Sequence, residues 1–366
     1  MGRLSLLLLV ALALMAGGCQ SAVAPGVAPA VAAAPATAPS LEEQGVVERV
    51  APLRTSINPR LLRRFRPVAD TGRAAPHLTP ALVDLGRLLW FEPLLSQSGT
   101  ISCNSCHALR DYGVDHRPRS IGERHRMGRR NAPTVYNLAS HVALFWDGRS
   151  PEVETQALVP IVGLAEMAAS PAVVEATLRA SDEYRRGFHA AFPDDAEPVS
   201  LANVGRAIGA FERGLVTRSR WDDYLEGHTQ ALDPAEVEGL RVFLDVGCME
   251  CHTGPQVGAS MFQVAGFVEP WPDRSDLGRF EVTGKTADRM VFKVPTLKNV
   301  ARTAPYFHDG SVADLGAAVR AMGRHQLGVE LADAEVASIV TFLGALTGAL
   351  PEDYIAAPPP PPQVQR

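Results

Sequence analysis

Apolar residues recur at helical spacing along most of this chain. Thr79-Pro80 supplies a capping hydroxyl and a proline at a first helical position; Leu82, Leu85, Leu88 and Leu89 then follow up to Trp90 and Phe91. Ser200 opens a second such stretch, with Val204, Ile208, Phe211 and Leu215 on one stripe. Asp233-Pro234-Ala235-Glu236 places an acid where it can cap back, and Val237, Leu240 and Leu244 carry that helix to Gly247. Asp333 begins a last helix through Val336, Ile339, Val340, Leu343 and Leu346, closed by Gly348 and Pro351. Strand signal is weak, and Met290 to Val294 reads as a short one. The pattern predicts a mainly α fold.

The ends differ from this body. Arg3 precedes an apolar run from Leu4 to Met15 and the small residues Ala16-Gly17-Gly18 before Cys19. That run is too short to span a bilayer as a helix and reads as a leader, so residues 1–18 are expected to be a signal peptide of lipoprotein type. Cys19 is then the lipidation site, an ordinary signal peptide being the alternative. Gln20 follows it rather than Asp, which by resemblance to bacterial sorting rules directs a lipoprotein to the outer membrane. Residues 21–40 carry no charge and are rich in Ala, Pro and Val, so 19–40 reads as a flexible linker. Pro358 to Pro362 marks 351–366 as a disordered Pro-rich tail.

At 366 residues the chain has room for about two domains. Its net charge is −5, and the arginines are scattered among acids, which argues against a nucleic-acid partner. The five cysteines are more informative. Apart from Cys19 they form two pairs, each followed at once by histidine: Cys103-Asn104-Ser105-Cys106-His107 and Cys248-Met249-Glu250-Cys251-His252. None is left over for the disulfides that an exported protein normally uses spare cysteines to make.

Cys-x-x-Cys puts two thiols on one side of a turn, where they can form thioethers to a haem, and the adjoining histidine can ligate its iron. Zinc fits poorly, because neither motif has a second partner pair at zinc-finger spacing. Two covalently bound haem c groups are therefore expected, held by Cys103 and Cys106 with His107 and by Cys248 and Cys251 with His252. The pairs lie far enough apart for two cytochrome c-like domains, an N-terminal one over 41–230 and a C-terminal one over 231–350.

Several segments in one order extend this reading. They are Ser98-Gly99-Thr100-Ile101-Ser102-Cys103, Arg130-Asn131-Ala132-Pro133-Thr134, Phe145-Trp146-Asp147-Gly148-Arg149, Val294-Pro295-Thr296-Leu297-Lys298-Asn299 and Ala304-Pro305-Tyr306-Phe307-His308-Asp309-Gly310. With them the chain resembles the bacterial dihaem cytochrome c peroxidase family over about Leu78 to Gly348. The resemblance implies a periplasmic enzyme, usually a homodimer, that reduces hydrogen peroxide with electrons from a small cytochrome c or cupredoxin. Its membrane contact would be the lipid anchor alone. Matching positions imply Glu166 as the proton shuttle, Gln156 as the glutamine that orders peroxide, and Trp146 as the bridge for electrons between haems. Met322 falls where the family has the axial methionine of the second haem, while its rivals Met261 and Met290 lie in no matching segment. A calcium ion between the domains is implied, on Asn131 through its side chain and on Thr303 and Pro305 through backbone oxygens.

One position departs from the family. Most members carry a second histidine on the resting peroxidatic haem, and the matching residue here is Glu123. Glu123 could leave that haem five-coordinate, His125 could take the ligand role after a small loop shift, or Glu123 could itself be a weak oxygen ligand. His116 is a more distant candidate. Related dihaem enzymes with an open haem oxidise a protein partner but place tyrosine on the second haem. A non-enzymatic dihaem electron carrier is the remaining alternative.

Overall fold

The computed structural model describes residues 57–68 and 78–359. The leader at 1–18, Cys19, the linker at 19–40 and positions 360–366 of the expected tail lie outside them. In chain order the helices are α1 (Pro59–Leu62), α2 (Pro80–Trp90), α3 (Cys103–Cys106), α4 (Val153–Gln156), α5 (Leu158–Val162), α6 (Pro171–Ala180), α7 (Asp182–Ala191), α8 (Leu201–Arg213), α9 (Arg220–Leu225), α10 (Pro234–Val246), α11 (Phe280–Thr283), α12 (Leu315–Met322), α13 (Asp333–Ala345) and α14 (Glu352–Ile355). Two strands, β1 (Phe262–Val264) and β2 (Val291–Lys293), pair antiparallel with Phe262 opposite Lys293. No helix among the described residues is long and apolar enough to cross a membrane.

Local chemistry accounts for the longer helices. Thr79 Oγ1 accepts from Leu82 N–H at 3.2 Å at the start of α2, and Ser200 Oγ accepts from Asn203 N–H at 3.3 Å at the start of α8. Asp233 and Glu236 cap α10 reciprocally, and Gly247 ends it in the left-handed conformation just before Cys248. The apolar stripes of α2 and α8 face each other in a first core that includes Leu85, Leu89, Trp90, Val204, Ile208 and Phe211. Helices α10 and α13 build a second, in which Phe243 and Phe342 lie 5.4 Å apart. A third, small cluster of Trp271, Met290 and Phe292 has Trp146, Phe307 and Met322 packed against it.

The cores redraw the expected boundaries. Trp221, in α9, packs 5.3 Å from Phe65 and 5.3 Å from Phe342, so the second core reaches back before 231 and takes in a residue from the chain's early part. The cores therefore divide between Leu215 and Trp221 rather than at 230. The expected tail also does not begin at 351. Helix α14 returns to the first core, where Ile355 is buried and Tyr354 Oη donates to Phe211 O at 2.7 Å. A buried ion pair, Lys298 with Asp222, ties the segment after β2 to α9.

Candidate active site

Each Cys-x-x-Cys-His stretch is wound into a single turn. His107 N–H closes on Cys103 O at 3.0 Å, and His252 N–H on Cys248 O at 3.1 Å. Cys103, Cys106 and His107 line one cavity of about 540 Å³. Cys248, Cys251 and His252 line a second of about 230 Å³.

The imidazoles are prepared alike. His107 Nδ1 lies 3.1 Å from Gly113 O, and His252 Nδ1 lies 3.1 Å from Val257 O. A carbonyl only accepts, so Nδ1 donates and Nε2 keeps its lone pair for a metal. Burial lowers both pKa values, that of His252 to about 4, which keeps the rings neutral. No disulfide joins the four thiols, and burial raises their pKa values, that of Cys248 to about 11. Two protonated thiols beside a neutral imidazole, on the wall of a mainly apolar cavity, fit a haem.

The first cavity also holds the expected acid and amide. Gln156 ends α4, and Glu166 sits in the loop after α5; both line the cavity with His107. Glu166 N–H donates to Gly163 O at 2.9 Å. A Cβ on Gly163 would come within 2.2 Å of Glu166 Oε2, so the missing side chain makes room for the carboxylate. Burial raises the Glu166 pKa, with Arg149 partly opposing it. Gln156 Oε1 is buried with no hydrogen-bond partner, which leaves it as an acceptor for a bound hydroxyl.

Trp146 lines both cavities. Its Nε1 donates to Asn131 O at 3.0 Å, and its ring meets His308 edge-on at 6.4 Å. Met322, at the end of α12, lines the second cavity, whereas Met261 and Met290 do not. Tyr306 lines it too, but its hydroxyl donates to Val300 O at 3.1 Å. Asn131, Thr303 and Pro305 all line the second cavity. Asn131 Nδ2 donates to Arg117 O at 3.0 Å, so Oδ1 is the side-chain atom left to face a cation.

Neither candidate for the open position reaches the first cavity. The Glu123 carboxylate accepts from Ser98 N–H at 2.8 Å and from Ser98 Oγ at 2.7 Å, bonds that hold its pKa down. Tied there, it does not act as an oxygen ligand in this conformation. His125 is exposed on the same loop, and His116 is exposed with Nδ1 3.0 Å from Ala304 O. The loop sits tightly all the same, because a Cβ on Gly122 would come within 2.2 Å of Ala165 O, beside Glu166.

The chain is similar to known proteins. A sequence model of the family described as di-haem cytochrome c peroxidase matches residues 80–230. Cytochrome c551 peroxidase of Nitrosomonas europaea is 44% identical over 281 residues, covering 76% of this chain and 84% of that protein. The chain belongs to the di-haem cytochrome c peroxidase family. Its similarity to cytochrome c551 peroxidase of Pseudomonas aeruginosa is also 44%, covering 73% of this chain and 79% of that protein. Among solved structures, a MauG-like protein associated with microbial copper homeostasis superposes with a TM-score of 0.67 at 32% identity, covering 81% of this chain and 96% of that one. As a di-haem cytochrome c peroxidase the chain is an oxidoreductase with two haem cofactors.

Three cavity residues escaped the sequence reading. Glu212 is buried in the first cavity with its pKa pushed up to about 8 by burial and by Glu154. His141 lines the same cavity, and Lys293 lines both. The available signal was a charge inside an apolar run: Glu212 follows Phe211, and Lys293 sits in Val-Phe-Lys-Val.

Proposed function

We propose that this protein reduces hydrogen peroxide to two waters in the periplasm, taking two electrons from a small cytochrome c or cupredoxin. The supporting observation is the placement of Glu166 and Gln156 with His107 on one cavity. Cys103 and Cys106 would hold one haem c covalently with His107 Nε2 toward iron, and Cys248 and Cys251 the other, with His252 and Met322 toward its iron. When bound, haem supplies the redox-active iron and the conjugated ring through which electrons pass. A His/Met pair favours a high potential, so the second cavity stores the incoming electron. Trp146, on both cavities, bridges the path to the first. Gln156 Oε1 accepts from a peroxide hydroxyl and orients it. Glu166 takes the proton from the nearer oxygen and returns it to the farther one, which leaves as water. Two protons from solvent, taken up with the two electrons, complete the second water. With Glu123 held by Ser98, the first cavity rests open, without a second protein ligand. Asn131, Thr303 and Pro305 would hold calcium. Lipidation of Cys19 would anchor a homodimer to the outer membrane.

The test is turnover of peroxide by the haem-loaded protein with a reduced small cytochrome or cupredoxin, beside an EPR spectrum of the oxidised protein. Turnover with one high-spin and one low-spin signal is expected. Absence of turnover with any such donor would refute the reading. Oxidation of a protein partner, the activity of the related dihaem enzymes with an open haem, is the second reading. A His/Tyr spectrum on the second haem would favour it, yet the Tyr306 hydroxyl is already engaged with Val300 O.

A further inference from the structure

Lys293 is an unusual residue to find inside this molecule. Its side chain is buried at the end of β2, and its backbone N–H donates to Trp146 O at 2.8 Å. It lines both cavities, and among the described residues it makes no ion pair. Burial lowers its pKa to about 8, still above neutrality. A buried ammonium with no anion is costly, so its partner belongs to whatever fills the cavity.

The acids around the cavities do not supply that partner. Asp147 is bound by Arg130 and Arg149, and Glu281 by Arg129. Glu166 lies beside Arg149, and Glu212 is uncharged near neutral pH. A second polar group is left over nearby. Both ring nitrogens of His141 are buried without a partner, on the first cavity only. Its pKa is lowered well below the ordinary value by burial and by the neighbouring Lys293 charge.

We infer that Lys293 and His141 together form a carboxylate-binding subsite in the first cavity, which receives a propionate of the haem at His107. The ammonium supplies the charge and a neutral His141 N–H a second hydrogen bond. The inference rests on the haem assignment above. A positive charge at this place stabilises the added electron on the nearer haem, so Lys293 is a positioning residue that also sets that haem's potential.

The test uses haem-loaded wild-type protein, K293M, K293R and H141F, followed by resonance Raman of the propionate-bending bands and by the midpoint potential of each haem. K293M should shift the propionate band of the haem at His107 and lower its potential, leaving the haem at His252 unchanged. K293R should preserve most of both. H141F, which keeps the cation, should shift the band with a smaller change in potential, and it carries the test if K293M does not fold. Wild-type values for band and potential in K293M, or in H141F where K293M does not fold, would overturn the inference. So would a change confined to the haem at His252. Wild-type protein lacking a haem at His107 would instead overturn the haem assignment, a result visible before any substitution.

Discussion

Glu166→Gln isolates the proton step. Glutamine keeps the volume and a carbonyl oxygen but cannot take up a proton. Groups of this kind contribute roughly 10²–10⁴-fold to rate, or about 2.7–5.4 kcal/mol at 1.36 kcal/mol per decade. The structure gives the substitution little chance of rescue. No other ionised carboxylate on that cavity is unpaired, since Asp147 and Glu281 are bound by arginines and burial keeps Glu212 protonated. Stopped-flow peroxide consumption with a reduced donor should therefore fall at least about 100-fold in kcat/KM, with haem spectra unchanged. The pH profile adds a second readout. Glu166 must start as the carboxylate, so kcat/KM falls as pH drops through its pKa. Burial raises that pKa, so the acid limb lies above the ordinary glutamate value of about 4.3. E166Q should flatten it. Stability should move the other way. The folded state binds the Glu166 proton more tightly than the unfolded chain, so stability is lost as pH rises from the unfolded value through the folded one. E166Q avoids that loss, and its Tm should exceed wild type at neutral pH but match it in acid. A variant that kept more than about a tenth of wild-type kcat/KM and still showed the acid limb would refute the shuttle role.

Other substitutions probe separate parts. Lys298→Met strands Asp222, whose carboxyl is pushed up by burial but held below its ordinary value by Lys298 and by Val68 and Ser219 N–H groups. Denaturant titration should show a loss of about 3–5 kcal/mol, mostly recovered with Asp222→Asn added; a loss under about 1 kcal/mol would mean the pair is solvated. Trp146→Phe should slow electron transfer between the haems after rapid reduction while leaving haem content intact, and an unchanged rate would take the indole out of the path. Met322→His should lower the potential of the second haem by replacing His/Met with bis-His ligation; an unchanged potential would point to a different ligand.

What the sequence made legible was what is local. A cap, a proline and a 3.6-residue stripe determine α2 or α10 within a dozen positions, and Cys-x-x-Cys-His carries its ligand geometry in five adjacent residues. Glu166 and Gln156 were reachable only through resemblance, because nothing in Leu164-Ala165-Glu166-Met167 distinguishes a cavity acid from a solvated one. The rest depended on contacts that sequence spacing does not encode. Phe65 and Ile355 each pack into the core opposite to the one their position suggests. Lys293 stands as a lone charge between Phe292 and Val294 in a short strand, and nothing in that spacing shows that it lines two cavities.

Glu123 joins these two kinds of information. By the resemblance its position is where most of the family carries a second histidine, and the readings there are an open haem, His125 as ligand after a small loop shift, or Glu123 as a weak oxygen ligand. Ser98 bears on the last of these by donating to the carboxylate from both its N–H and its hydroxyl. Two such bonds to an ionised group are worth about 1.5–3 kcal/mol each. A carboxylate ligand on iron would have to break both, and Glu123 N–H would have to leave Glu166 O, to which it donates at 2.8 Å. The loop that carries Glu123 is thus bonded to the backbone of Glu166, the residue proposed to move the proton. On the proposed function, that bond ties the loop that leaves the first cavity open to the position of Glu166.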